Sequence, residues 1–168
     1  MGDIVIRSLS PDDSLEEITS LLHRAYKKNA ELNIHFIASH QTPHVTQERL
    51  DQGTAFIAEL EGRIVGTITL TFPIEVPHAE YMTDKPLASF GQFAVEPDLQ
   101  GAGLGRKLIE TVEKEAKRLG AQEICLDTAQ PADHLVSYYK KLGYEIQAEA
   151  DWRPEVNYKS WVMVKDLS

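Results

Sequence analysis

Cysteine is nearly absent. The one residue, Cys125, lies in the apolar run Ile124-Cys125-Leu126, so the chain can close no internal disulfide and offers no cysteine-based zinc site. A free thiol in such a run reads as a buried, inert core residue. Long apolar runs are missing too: none approaches the ~20 residues that a membrane span needs. The N-terminus, Met1-Gly2-Asp3-Ile4-Val5-Ile6-Arg7, has no basic region followed by a long apolar one. The expectation is a soluble, cytoplasmic protein with no membrane partner. Positive charge is scarce. Lys and Arg number 17 against 26 Asp and Glu, for a formal charge of −9. That balance argues against nucleic-acid binding, which relies on a basic surface. It is compatible with a cationic small substrate without singling one out. His35, His40 and His44 stand in an irregular stretch with no carboxylate or cysteine at ligand spacing, so they read as surface residues and not as a metal site. Two phosphate-binding patterns are also lacking. Nothing reads Gly-Lys-Ser or Gly-Lys-Thr, which disfavours a P-loop. The Gly-x-Gly-x-x-Gly fingerprint fails, because the sixth residue is Arg106 counted from Gly101 and Leu108 counted from Gly103.

What is present is ordinary globular material: 168 residues, 42% hydrophobic and 26% charged. One domain over 1–168 with a single core is the expectation. Ile4-Val5-Ile6 reads as a strand. Ser10-Pro11-Asp12-Asp13 reads as a helix start, with apolar residues at helical spacing to near Asn29. A short helix is expected over 46–52. Residues 54–60 and 63–70 are strands joined only by Glu61-Gly62, hence a tight hairpin. The segment 73–86 holds Pro73, Pro77 and Pro86 and is a loop. Leu87 to Val95 is a strand. A helix follows with Leu104, Leu108, Val112, Ala116 and Leu119 on one face, Glu110/Lys114 and Glu113/Lys117 as pairs on the other, and Gly120 at its end. A strand over 122–127, a helix over 131–142 and two strands over 144–150 and 156–165 complete a mixed α/β sheet covered by helices.

One stretch carries chemistry: Gln100-Gly101-Ala102-Gly103-Leu104-Gly105-Arg106, set between the strand at Leu87–Val95 and the helix that starts at Leu104. Alternating glycines at a strand-to-helix junction let bare backbone N–H groups converge on an anion at the positive end of the helix dipole. A phosphorylated ligand is expected there.

Gln100 to Gly105 fits the pattern Gln/Arg-x-x-Gly-x-Gly/Ala. With the lead-in Phe93-Ala94-Val95-Glu96-Pro97, it resembles the acyl-CoA signature of the GNAT N-acetyltransferase superfamily. Downstream, Tyr139-Lys140-Lys141-Leu142-Gly143-Tyr144 resembles that family's second signature. The two lie 34 residues apart from Gly105 to Tyr139, with one strand and one helix start between them. The detailed resemblance covers residues 89–144.

The resemblance implies a GNAT-like mixed, mostly antiparallel sheet of about seven strands with about four helices, forming one N-acetyltransferase domain over 1–168. It implies an acyl-CoA-dependent enzyme that moves an acetyl group directly from acetyl-CoA to a primary amine of a small molecule or peptide. No metal is implied. A non-catalytic acyl-CoA sensor on the same fold is the alternative. Residues 101 to 106 would hold the pyrophosphate, with Arg106 adding charge or remaining solvated. Phe93, Ala94 and Val95 would pair with the pantetheine arm, and an N–H near Val95 would hold the thioester oxygen. Tyr139 would be the general acid for the leaving thiolate and Tyr138 a packing residue. Adjacent helical residues point about 100° apart, so the two can serve different neighbours. One position departs from the family pattern: Ala132 stands where an Asn is frequent, seven residues before the tyrosine. The base stays open among Glu75, His78, Glu80, Glu96 and a water chain. The acceptor side would use the 30–45 and 73–86 loops and the last strands, where Trp152, Asn157, Tyr158 and Trp161 serve as ligand, core or homodimer contacts.

Overall fold

The computed structural model describes residues 2–74 and 81–168. Among them, seven strands make one sheet and four α-helices cover it. In chain order these are β1 (Val5–Ser8), α1 (Leu15–Glu31), α2 (Pro43–Leu50), β2 (Thr54–Leu60), β3 (Arg63–Thr71), β4 (Leu87–Val95), α3 (Leu104–Leu119), β5 (Glu123–Ala129), α4 (Asp133–Lys141), β6 (Glu145–Asp151) and β7 (Lys159–Asp166). The sheet order is β1-β2-β3-β4-β5-β7-β6. Every pairing is antiparallel except β4 with β5. This is the expected sequence of elements and the expected mostly antiparallel sheet.

The β2–β3 hairpin turns at Glu61 and Gly62, both at positive φ (51° and 79°), as a two-residue hairpin turn requires. α1 starts later than Ser10. Asp13 accepts the Ser10 N–H and pairs with Arg7, which closes residues 10–13 into a turn. Ser14 then caps the helix by accepting the Glu17 N–H. α2 starts earlier than residue 46, because Thr42 caps it through the Val45 N–H and Pro43 occupies the first turn. α4 begins at Asp133, two residues after Pro131.

The two faces of the sheet carry separate apolar layers. Ile18, Leu21 and Leu22 of α1 pack with Leu50, Ile57 and Ile64 on one side. Leu104, Leu108, Ile109, Val112 and Ala116 of α3 pack on the other. Each fully buried side chain of this kind contributes about 1.5–3 kcal/mol. Ile109 is buried as well, whereas Leu119, expected on the apolar face, is 43% exposed at the last turn of the helix. The ion pairs also differ from the i,i+4 expectation. Glu113 is drawn to Lys165 and accepts from Tyr144 Oη, and Glu110 pairs with Arg106. Cys125 is fully buried in β5, and burial pushes its thiol up to about 12.

Candidate active site at the opening between β4 and β5

β4 and β5 pair only at Leu87, Ala88 and Ser89 with Glu123, Ile124 and Cys125. Beyond that point β5 follows β7 as far as Ala129, while β4 follows β3 as far as Val95. The two strands therefore part, and the sheet opens at its centre. β4 also carries an extra residue. Gly91 faces Thr69 and Ala94 faces Thr67, so Gln92 and Phe93 together oppose Ile68. Gln92 sits at φ 50°, as a bulge allows.

Hydrogen-bond alternation then says which groups face the opening. The Glu96 N–H donates to Val65 O at 2.8 Å. Its neighbour Val95, opposite Gly66, therefore turns its own N–H and C=O away from β3 and toward the gap. The Val95 carbonyl accepts from Gln100 Nε2 at 3.2 Å, which ties the glycine loop to the end of the strand. Tyr26 Oη of α1 donates to the Phe93 carbonyl at 2.7 Å.

At the start of α3, Gly103 is the N-cap at φ 88°, a left-handed value that strains any residue with a Cβ, and no side chain caps the helix. Lys107 N–H returns to Gly103 O. The N–H groups of Gly103, Leu104, Gly105 and Arg106 find no acceptor among the described residues. Gly101, Ala102 and Gly103 are exposed, so this is an open, uncapped N-terminus suited to a phosphate group. Gly105 is needed for closeness: a Cβ there would lie 2.7 Å from Tyr138 Oη and 3.2 Å from Phe93 Cζ. Arg106 points outward into its pair with Glu110.

The two tyrosines of α4 part company. Tyr139 is 6% exposed and packs edge-on against Tyr138 and Tyr144. Its ring borders the opening, and burial raises its hydroxyl well above the usual phenol range. Tyr138 is half-buried and reaches back over Gly105. Ala132 caps α4 without a side-chain bond and is fully buried.

On the side of α1 lies a cavity of ≈ 240 Å³ that meets the opening. Phe36, Trp152 and Tyr158 provide aromatic walls, and Phe36 packs at a tilt between Tyr26 and Tyr158. Arg49 of α2 and Asp127 of β5 bring the only formal charges among the described residues lining it. Trp152 Nε1 donates to Asp127 Oδ2 at 2.7 Å. Asn157 works outside the cavity, holding the 33–35 loop through Asn33 O and the His35 N–H, and Trp161 packs on the core.

The chain matches the Acetyltransferase (GNAT) family model over residues 15–144. It belongs to the GNAT family. Relatives matched over most of their length are named enzymes. The S-(2-succino)cysteine N-acetyltransferase of Bacillus subtilis (strain 168) is 29% identical, over 85% of this chain and 86% of that one. The S-alkylcysteine N-acetyltransferase of the same organism is 28% identical, over 90% and 84%. Among solved structures, a GNAT family acetyltransferase from Elizabethkingia anophelis with acetyl-CoA bound superposes with a TM-score of 0.70 at 16% identity, covering 97% of each chain. The protein is thus an acyl-CoA-dependent N-acetyltransferase with acetyl-CoA as donor, and the sensor alternative is not favoured.

Within this GNAT enzyme the base candidates fare differently. Glu75, His78 and Glu80 lie outside the described residues. Glu96 is 7% exposed and accepts both Nε and Nη2 of Arg24, at 3.0 and 2.7 Å, which makes it a strut between α1 and the end of β4. Among the described residues no group of three or more His, Cys, Asp or Glu could hold a metal ion, and no helix is long and apolar enough to cross a membrane. Sequence reasoning missed Tyr26, Arg49 and Asp127. Each is a lone polar residue within an ordinary helix or strand, and no local pattern marks it.

Proposed function

We propose that this single-domain enzyme acetylates the α-amine of a small, S-substituted cysteine by direct transfer from acetyl-CoA in the cytoplasm. The observation that carries the reading is the aromatic cavity beside the β4–β5 opening, which holds one cation and one carboxylate among its described residues. The named activities of the two Bacillus subtilis relatives point to the same acceptor class.

Acetyl-CoA supplies the acetyl group as an activated thioester. The N–H groups of Gly103, Leu104, Gly105 and Arg106, with Gln100 bracing the loop, receive the pyrophosphate at the uncapped end of α3. Phe93, Ala94 and Val95 offer the backbone edge along which the pantetheine arm lies. The Val95 N–H faces the gap and donates to the carbonyl oxygen as negative charge grows there, an effect typically worth about 3 kcal/mol. The neutral amine attacks the carbonyl carbon, a C–N bond forms and the C–S bond breaks. Asp127, the one carboxylate among the described cavity residues, takes the proton that the nitrogen loses. Tyr139 gives its phenolic proton to the departing thiolate and regains one from water. Burial keeps the phenol in its protonated, donating form. Cys125, fully buried with a raised pKa, supports direct transfer over a route through an enzyme thioester.

The test is release of CoA thiol with a panel of amines. S-alkylcysteines are expected to exceed polyamines, peptides and aminoglycosides in kcat/KM; a better rate with any of those three would overturn the acceptor class.

A further inference from the structure

Arg49 is a half-buried cation at a cavity wall. It lies on α2 with its guanidinium at the cavity wall, and burial pulls its pKa down, an effect that Tyr26, Asp127 and Tyr158 counter through space. Among the described residues it forms no ion pair and donates one hydrogen bond, from Nη1 to Gln41 Oε1 at 2.8 Å. The other guanidinium donors have no partner there.

Gln41 is not a casual neighbour. It is 4% exposed, and its Nε2 donates to Thr46 Oγ1 at 2.8 Å and to Gln92 Oε1 at 3.1 Å. Thr46 Oγ1 lies 2.7 Å from Thr19 Oγ1 in turn. A fully buried polar chain from α1 through α2 to the β4 bulge therefore fixes the guanidinium in position. The far end of that chain shows the same deficit. Gln92 is 5% exposed, lines the cavity, and its Nε2 is buried with no hydrogen-bond partner among the described residues.

Such an arrangement does not favour folding. A half-buried cation with no ion-pair contact among the described residues, and a buried amide N–H with no acceptor among them, each cost stability. An incoming anion at the cavity wall removes the cost at Arg49. The guanidinium fork matches the two oxygens of a carboxylate. Asp127, held by Trp152 on β5, provides opposite charge for an ammonium. The cavity is thus complementary to a zwitterion.

We propose that Arg49, joined to Gln92 through Gln41, binds a carboxylate of the acceptor. The enzyme would then select free amino acids over peptides, whose N-terminal residue has no α-carboxylate, and over simple amines. This deepens, and rests on, the small amino-acid acceptor argued above.

The experiment uses the full chain with acetyl-CoA and compares S-methylcysteine with its methyl ester, for the wild type, Arg49→Gln and Arg49→Lys. Wild type is expected to prefer the acid by roughly 100-fold in kcat/KM, the usual scale for a charge-assisted pair. In Arg49→Gln that preference falls to near parity through KM for the acid, while kcat and the KM for acetyl-CoA change less than threefold. Arg49→Lys recovers part of the preference. Calorimetric binding of acetyl-CoA to each variant reports an intact fold. S-(2-succino)cysteine and its α-monoester separate the two carboxylate sources: dependence on Arg49 that survives α-esterification assigns the side-chain carboxylate, and dependence that vanishes assigns the α-carboxylate. An acid preference that persists in Arg49→Gln overturns this inference alone. A wild type that prefers carboxylate-free amines overturns the acceptor class and this inference together.

Discussion

The donor and acceptor halves of the opening are built in opposite ways. The proposed donor half is one continuous stretch, from Phe93 through Arg106, and the polar groups it leaves open are main-chain N–H groups. The proposed acceptor half is made of side chains from α1, α2, β4, β5 and the β6–β7 connection: Tyr26, Arg49, Gln92, Asp127, Trp152 and Tyr158. Main-chain recognition demands particular backbone shapes, so it leaves glycines in the sequence at fixed spacing. Side-chain recognition demands only that a helix or strand pass the right place, so it leaves no spacing at all. One half is suited to a donor shared by many enzymes. The other can change residue by residue without disturbing the loop.

That contrast can be broken by variants that act on one half and leak into the other. The largest effect is expected at the junction. Tyr139→Phe removes the proposed proton donor and should lower kcat by at least ~100-fold, with acetyl-CoA affinity within twofold. Single-turnover thiol release alongside calorimetry checks it, and an unchanged kcat would remove Tyr139 from the chemistry. Next is Gly103→Val. A Cβ at φ 88° strains the N-cap, and the branched side chain crowds the exposed N–H groups. The KM for acetyl-CoA should rise about 30-fold, with the KM for the amine nearly unchanged. A change shared equally by both would show that the halves are not independent.

Smaller effects sharpen the comparison. Glu96→Gln weakens the two hydrogen bonds from Arg24 and should lower Tm by about 3–6 °C in calorimetry. Trp152→Phe deletes the donor to Asp127 and should raise the KM for the amine about fivefold, leaving the KM for acetyl-CoA alone. If it raised the latter instead, the cavity would belong to the donor half.

Much of the fold was legible. The hairpin at Glu61-Gly62, the strand Leu87–Val95, and the helix Leu104–Leu119 with Gly120 behind it stand at the residues their patterns indicate. The errors have local causes. Ser10 looked like a cap, but Asp13 was committed to Arg7, so the helix waited for Ser14. The Glu113/Lys117 pair looked right on a helix taken alone, but Lys165 and Tyr144 approach Glu113 from the sheet. Of the proposed site, glycine spacing and a tyrosine motif mark the loop and Tyr139 in the sequence. Nothing local marks Arg49 and Asp127.

The amino-acid sequence by itself determined the order of strands and helices, the uncapped glycine turn and, through that turn, the donor. These follow from local stereochemistry: where a chain can take positive φ, where a helix can start, which face is apolar. Only the tertiary structure decided where β4 and β5 part, which N–H groups face the gap, and that Arg49 and Asp127 share one cavity with Tyr139. Strand register and the packing of α1 and α2 over the bulge set those distances, and both depend on contacts between residues far apart in the chain.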